Sequence, residues 1–140
     1  MRKKKRKLTL KSDFSELPKV EKLCAQITRE MHFNEDQEAN LGIALSEIVN
    51  NAIIHGNKLD PQKHVIVEVK YAAKEVEITV TDEGKGFNPE KLKDPREKDN
   101  LLRQNGRGIF MAEHLSKKVE IHPSPTGTKV TIVLEKNLKN

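Results

Sequence analysis

A glutamate and an asparagine four residues apart, Glu47 and Asn51, are a pair that could take part in phosphate chemistry. Residues at this spacing lie on one face of an α-helix. A carboxamide oxygen is a hard ligand suited to Mg²⁺, which usually takes few protein groups in addition to waters and substrate phosphates. A carboxylate one turn away can orient or deprotonate a hydroxyl near a terminal phosphate. The same pair also fits an ordinary polar pair that caps a surface helix.

A second group consists of Asp82 and the glycines that follow it, Gly84 and Gly86. The alternating apolar residues before Asp82 predict that it lies at the end of a strand, and a Gly-x-Gly turn lets a flat ligand approach the backbone. A carboxylate can accept a hydrogen bond from an exocyclic amine, which adenine carries at C6 and guanine lacks there. The group therefore predicts a preference for ATP over GTP, although Asp and Gly are also common in ordinary turns.

A third group, Gly106-Arg107-Gly108, stands where a long polar loop meets a predicted helix. The first N–H groups of a helix have no internal partners, and together with the positive helix end they form an anion site. Arg103 and Arg107 could add positive charge there. The group predicts phosphate binding, although a single Gly-x-Gly also occurs in loops that bind nothing.

Two further positions complete the candidate site. Thr128, after Gly127, begins the last predicted strand, where its hydroxyl could bind a base or an ordered water, or simply follow a hairpin turn. His55 is a plausible wall of the pocket. The five histidines show no metal-binding spacing, and the single Cys24 is expected to be a buried structural thiol.

The hydrophobic pattern predicts the elements that would hold these residues. In chain order they are a strand at 8–10, a helix at 15–31, a helix from about 34 to 56, paired strands at 65–71 and 76–80 with a turn at 72–74, a polar loop at 88–104, a helix at 107–116, a strand at 119–121, a turn at 123–127 and a strand through 134. This order predicts an α+β domain, a two-layer α/β sandwich with helices on one face of a mainly antiparallel sheet.

The 140 residues fit one domain, and the net charge of +5 is concentrated at one end. Six of the 26 basic residues lie in residues 1–7, so we expect a basic, solvated N-terminal arm at 1–7 followed by one domain at 8–136, with no nucleic-acid partner. No apolar stretch approaches the roughly 20 residues that span a bilayer, and no signal-peptide pattern follows the basic start. We expect a cytoplasmic protein without a membrane partner.

The ordered segments resemble the ATP-binding superfamily shared by gyrase B, Hsp90-type chaperones, histidine kinases and MutL. Within it, the chain is most similar to the anti-sigma factor serine/threonine kinases of bacterial partner-switching systems. The resemblance runs from the first predicted strand to Leu134. Residues 47–56 resemble the family's N box, residues 82–86 its first glycine box, residues 106–108 its second and residues 127–128 its last. It implies the histidine-kinase-like, or Bergerat, ATPase fold.

The resemblance also implies ATP and Mg²⁺ as cofactors. Asn51 would coordinate Mg²⁺, Glu47 would be the general base and Asp82 would bind the adenine amine, while residues 106–108 would cradle phosphates beneath a lid at 88–105. It further implies two partners, a sigma factor and an anti-anti-sigma protein of the STAS type that is phosphorylated on Ser or Thr. Relatives of this kind are often homodimers.

Two other hypotheses also fit the sequence. The family often has an arginine two residues before the first glycine of its second box, but here Gln104 occupies that position and Arg103 precedes it. The chain could therefore be a nucleotide-gated regulatory binding module without phosphotransfer. The other hypothesis takes the charge of the basic arm at 1–7 at face value and makes the chain an RNA-binding protein.

Overall fold

The computed structural model describes residues 4–84 and 114–136. In chain order the elements are β1 (Lys5–Lys11), a 3-10 turn (Phe14–Glu16), α1 (Leu17–Met31), α2 (Glu35–Asn51), a π-helical turn (Ala52–Gly56), β2 (His64–Tyr71), β3 (Glu75–Thr81), β4 (Lys118–Ser124) and β5 (Gly127–Glu135). The strands described form one sheet in the order β1-β2-β3-β5-β4, with every neighbouring pair antiparallel. The predicted α+β sandwich is confirmed.

The core lies between the sheet and the two helices. Because successive side chains of a strand point to opposite faces, the alternating apolar residues of β2 and β3 all face the helices. The helices add stripes at the three- and four-residue spacing that places side chains on one face. The buried apolar side chains of these four elements are Val65, Val67, Val69 and Tyr71 of β2, Val76, Ile78 and Val80 of β3, Val20, Leu23, Cys24, Ile27 and Met31 of α1, and Leu41, Ala44, Leu45, Ile48 and Val49 of α2.

Local signals set the limits of both helices. Pro18 lies in the first turn of α1, where its missing N–H costs little. The helix ends at Met31, and the capping residue that follows, His32, has a left-handed φ of 55°. Asn34 then caps α2: its side chain accepts the N–H of Gln37 at 2.8 Å, and the Gln37 side chain accepts the N–H of Asn34 at 2.9 Å. This short connection makes α1 and α2 an antiparallel pair.

β1 begins earlier than predicted. It starts at Lys5 instead of residue 8, so residues 5–7 of the expected arm pair with β2. The Glu30 carboxylate on α1 accepts hydrogen bonds from both Lys4 and Arg6. Burial raises the pKa of Glu30, but the bonds from Arg6 and Lys4 outweigh it and hold that pKa below its usual value. Part of the basic segment is therefore structural, which weakens the argument for an RNA-binding arm.

The second helix changes character near its end. The apolar pattern predicts a helix to Gly56, but α2 ends at Asn51 and a π-helical turn covers Ala52–Gly56. The N–H of Asn57 bonds to the carbonyl of Ala52 at 2.8 Å, a spacing of five residues. Apolar periodicity does not distinguish such a wide turn from an α-turn. Single π-turns of this kind are frequent at functional sites.

The C-terminal strands are longer than predicted. β4 extends through Pro123 and Ser124, and only Pro125 and Thr126 form the turn before β5. Proline is tolerated here because β4 is an edge strand. The predicted loop at 88–104 lies outside the described residues, as does the helix at 107–116 apart from its last turn, where His114 and Leu115 are helical.

Cys24 packs inside the core with 7% of its surface exposed. Burial raises the pKa of its thiol to about 12. The thiol is therefore protonated at neutral pH and poorly nucleophilic, which confirms the prediction of a buried structural cysteine.

Candidate functional site

The ends of two neighbouring strands bring Asp82 and Thr128 together. Thr81 of β3 pairs with Lys129 of β5, so the next residue, Asp82, faces Thr128. The Asp82 N–H donates to the Thr128 carbonyl at 3.0 Å, and the Thr128 N–H donates to Asp82 Oδ1 at 3.1 Å. Asp82 continues the apolar stripe of β3, so its side chain lies on the helix-facing side of the sheet.

The Asp82 carboxylate is buried and held by backbone donors. Its Oδ1 atom accepts a second hydrogen bond, from the N–H of Gly84 at 3.0 Å. Only 7% of the residue is exposed. Burial raises the pKa of Asp82, while the bonds from Gly84 and Thr128 and the charge of Lys63 act in the opposite direction. The carboxylate is thus a hydrogen-bond acceptor that is held in a fixed orientation and largely shielded from solvent.

Three glycines allow the backbone to close around Asp82. A Cβ atom added to Gly56 would lie 2.3 Å from Asp82 Oδ2, and one added to Gly84 would lie 2.0 Å from the Gly56 carbonyl oxygen. A Cβ atom on Gly127 would lie 2.1 Å from the Asp82 carbonyl oxygen, and Gly127 has a φ of 156°. The space beside Gly84 is therefore occupied by the π-helical turn.

α2 carries the other described part of the site. Glu47 and Asn51 lie one turn apart on this helix, and both are partly buried. Asn51 is its last residue, and the π-helical turn leads from there to Gly56, which contacts Asp82. The fold thus connects the proposed phosphate end of the site to the proposed base end through five residues. His55 is exposed on this turn.

The remaining predicted site residues lie outside the described residues. They are Gly86, Arg103, Gly106, Arg107 and Gly108. Their assignment to nucleotide binding stays a prediction, as does that of the lid.

Residue spacing did not predict that Gly56 and Gly127 pack against Asp82, or that the side chain of Asn57 is buried beside it. A glycine at the end of a helical pattern indicates only a helix end. The contacts appear only when the π-helical turn and both strand ends are in place.

The donor set in the described residues fits Mg²⁺ only as an ion shared with phosphates. No group of three or more His, Cys, Asp or Glu side chains there could hold a metal. The carboxamide oxygen of Asn51 is a suitable protein ligand for Mg²⁺ when phosphates and waters supply the others. Within the same residues, neither α1 nor α2 nor any shorter helix is long and apolar enough to cross a membrane.

Several known proteins are similar to this chain. The family described as "Histidine kinase-like ATPase domain" matches residues 10–134. The anti-sigma F factor of Clostridium perfringens is 32% identical over 105 residues, covering 73% of this chain and 75% of that protein. The serine-protein kinase RsbW of Staphylococcus aureus is 32% identical over 104 residues, covering 69% of this chain and 64% of that protein.

A similar fold occurs among solved structures. The crystal structure of the RsbU and RsbW domains of a Mycobacterium tuberculosis protein superposes with a TM-score of 0.68 at 22% identity. The match covers 94% of this chain and 32% of that chain. A blue-light activated histidine kinase of Erythrobacter litoralis gives a TM-score of 0.60 at 18% identity, covering 86% of this chain and 41% of that chain.

Proposed function

Because the chain belongs to the histidine kinase-like ATPase domain family, we propose that it binds ATP and acts as an anti-sigma factor with protein serine/threonine kinase activity. The relatives named anti-sigma F factor and serine-protein kinase support this function. The structural observation that carries it is the buried Asp82 carboxylate, held by two backbone N–H groups and joined through Gly56 to the helix of Glu47 and Asn51. One connected wall thus carries both proposed ends of a nucleotide site.

Base recognition is assigned to Asp82. Oδ1 is engaged by Gly84 and Thr128, so Oδ2, on the side of Gly56, is the atom that accepts the exocyclic amine of adenine. Guanine carries a carbonyl oxygen at that position, which repels a carboxylate. The Thr128 hydroxyl contributes directly or through a water.

Phosphoryl transfer is assigned to the helix. Glu47 takes the proton of a Ser or Thr hydroxyl of the protein substrate. The hydroxyl oxygen then bonds to the γ-phosphorus as the bond between the γ-phosphorus and the leaving oxygen of ADP breaks. Asn51 would hold Mg²⁺, which would supply neutralising charge for the phosphates. Residues 106–108, with Arg103 and Arg107, are the groups to which we assign phosphate binding, and we assign His55, Gly84 and Gly86 to the adjoining wall.

The proposed partners are a sigma factor and a STAS-type anti-anti-sigma protein, the latter being the phosphorylated substrate. The names of the relatives support the sigma factor most directly. A cytoplasmic location and a homodimer belong to the same proposal.

The test compares ATP binding with phosphate transfer in Glu47→Gln. We expect ATP affinity to change little, because Asp82 and Asn51 remain, while transfer to a cognate anti-anti-sigma protein falls about 100-fold or more. Glu38→Gln makes the same chemical change at an exposed position of α2 and should leave both unchanged. Unchanged transfer by Glu47→Gln would show that Glu47 is not the base.

A nucleotide-gated binding module without phosphotransfer is the second candidate. The observation that favours it is Gln104 in the position where the family often has arginine. Selective ATP binding without transfer to the cognate partner, together with partner affinity that depends on the nucleotide, would support this function over the kinase.

A further inference from the structure

Asn57 is the least exposed polar side chain of the described residues, with 1% of its surface exposed. Its carboxamide nitrogen donates to Ser12 Oγ at 2.9 Å and to the carbonyl oxygen of His64 at 3.0 Å. Its carboxamide oxygen accepts the N–H of Glu83 at 2.8 Å. A single side chain therefore connects the chain after β1, the start of β2 and the residue after Asp82.

These bonds match the chemistry of a carboxamide. The three bonds require a side chain with two donor hydrogens and one acceptor. An asparagine supplies them, whereas an aspartate supplies only acceptors and an alanine supplies neither. Ser12 is itself held, because its hydroxyl donates to the carbonyl of Lys63 at 2.6 Å. The Asn57 side chain is therefore held by Ser12 on the side away from Asp82, while its oxygen binds the N–H of Glu83.

The contact with Glu83 lies beside the closest backbone approach in the site. Gly56 packs against Gly84, and the residue that follows the π-helical turn, Asn57, bonds to the N–H of Glu83. On the opposite side, Asp82 is held by Thr128 of β5. The peptide that carries Asp82 is thus fixed from both sides.

We infer that Asn57 is a positioning residue for base recognition: its bond to Glu83 fixes the Asp82 carboxylate relative to the π-helical turn. The inference rests on the proposed adenine-binding role of Asp82. Asn57 does not itself contact the nucleotide. Because hydrogen bonds weaken steeply with distance and angle, a small displacement of the Asp82 turn is enough to weaken the bond to the adenine amine.

The test measures the affinities for ATP and GTP in three variants by calorimetry. Asn57→Ala removes the acceptor for Glu83 and is expected to lower discrimination for ATP over GTP about tenfold. Asn57→Asp retains that acceptor, and Ser12→Ala breaks the network only on the far side. Both should be less stable, yet keep discrimination within about twofold of the natural chain. An equal loss of discrimination in Asn57→Ala and Ser12→Ala would overturn the inference.

Amide hydrogen exchange gives a second readout that needs no nucleotide. The N–H groups of Gly84 and Thr128, which bind Asp82 Oδ1, should exchange faster in Asn57→Ala than its loss of global stability explains, but not in Ser12→Ala. Unchanged protection in Asn57→Ala would overturn the positioning role. If the natural chain bound no ATP, the proposed function would fail, while the exchange rates would still decide whether Asn57 positions Asp82.

Asn57→Ser is the second variant, for use if Asn57→Ala is unfolded. The serine hydroxyl is too short to accept the N–H of Glu83 as the carboxamide does. The same loss of discrimination and of Gly84 protection is expected. Natural values of both in Asn57→Ser would contradict the inference.

Discussion

At Asp82, two backbone N–H groups bind the same carboxylate oxygen inside a largely buried site. Burial nevertheless raises the pKa of Asp82, so these bonds only partly offset the loss of solvation. The folded state therefore binds a proton more tightly than the unfolded chain. The stability that this group contributes is present at low pH. It is lost as pH rises from 3.8, the ordinary pKa of the group, through the higher pKa that it has in the folded state.

Asp82→Asn should separate recognition from stability. The carboxamide oxygen can still accept the bonds from Gly84 and Thr128, but its NH₂ group would face the amine of adenine, so affinity for ATP should fall about 10- to 100-fold. The free energy of unfolding at pH 7 should be equal or higher, because no buried charge remains. Calorimetry and urea unfolding measure the two effects.

The matched control for this change is Asp36→Asn, at an exposed position in the first turn of α2. It should leave ATP affinity unchanged. Full retention of the preference for ATP in Asp82→Asn would rule out Asp82 as the group that recognises the base.

Gly56→Ala should damage the site by crowding. The new Cβ atom would lie 2.3 Å from Asp82 Oδ2, so either the turn or the carboxylate must shift. We expect a loss of about 1–3 kcal/mol in the free energy of unfolding and weaker ATP binding. Gly42→Ala is the control, since nothing lies within 4 Å of its added Cβ, and it should raise stability by roughly 0.5–1 kcal/mol. Equal effects of the two changes would contradict the crowding argument.

At the scale of elements, α2 performs separate tasks at its two ends. Its start is fixed by the capping box of Asn34 and Gln37, and its middle packs in the core. Its last residue, Asn51, passes directly into the π-helical turn that ends at Gly56. The stability of the helix start and the geometry of the site are therefore expected to respond to different substitutions.

Asn34→Ala tests this separation. Loss of the cap should lower the free energy of unfolding by about 1 kcal/mol, because the N–H of Gln37 loses its acceptor. ATP affinity should not change, since the cap lies at the end of α2 opposite to Asn51. Asn40→Ala, the same change inside α2, should not be destabilising, because alanine has the higher helix propensity. Reduced ATP affinity in folded Asn34→Ala would show that the two ends are coupled.

At the scale of the whole molecule, carboxylates connect the edge of the sheet to α1. Glu16 accepts the N–H of Lys11 at 3.0 Å and pairs with Lys19 at 3.1 Å. The bond from Lys11, followed by that from Lys19, holds the pKa of Glu16 below its usual value. Glu30 joins β1 to α1 in a similar way. Both groups favour the ionised, folded state.

The domain should therefore lose stability in acid. The lowered pKa of Glu16 means that the folded state binds fewer protons than the unfolded chain, so its contribution is complete above about 4.5 and is lost as pH falls through its folded pKa. The urea midpoint of Glu16→Gln at pH 7 should be lower than that of the natural chain. Between pH 7 and pH 3 the midpoint of this variant should also depend less on pH. Glu21→Gln, on the exposed surface of α1, should keep the natural profile. A steep natural profile in Glu16→Gln would contradict this assignment.

Much of the fold could be predicted from the sequence because its signals act between near neighbours. The apolar periodicity indicated α1 and α2, and the alternation of β2 and β3 indicated strands, their hairpin and their buried face. The same alternation placed Asp82 at a strand end. The ordered motifs also identified the family. Apart from the ordered motifs, these signals depend on residues a few positions apart, which remain neighbours in helices and strands whatever the rest of the chain does.

Only the tertiary structure decided which of these residues meet. β5 lies beside β3, and this order alone brings Thr128 to Asp82 across 46 positions of sequence. The π-helical turn then places Gly56 and Asn57 against the turn after Asp82. Periodicity specifies the face of an element but neither its partner in the sheet nor the width of its last turn. Those depend on how the whole core packs, because distant segments become neighbours only when the sheet and helices enclose it together.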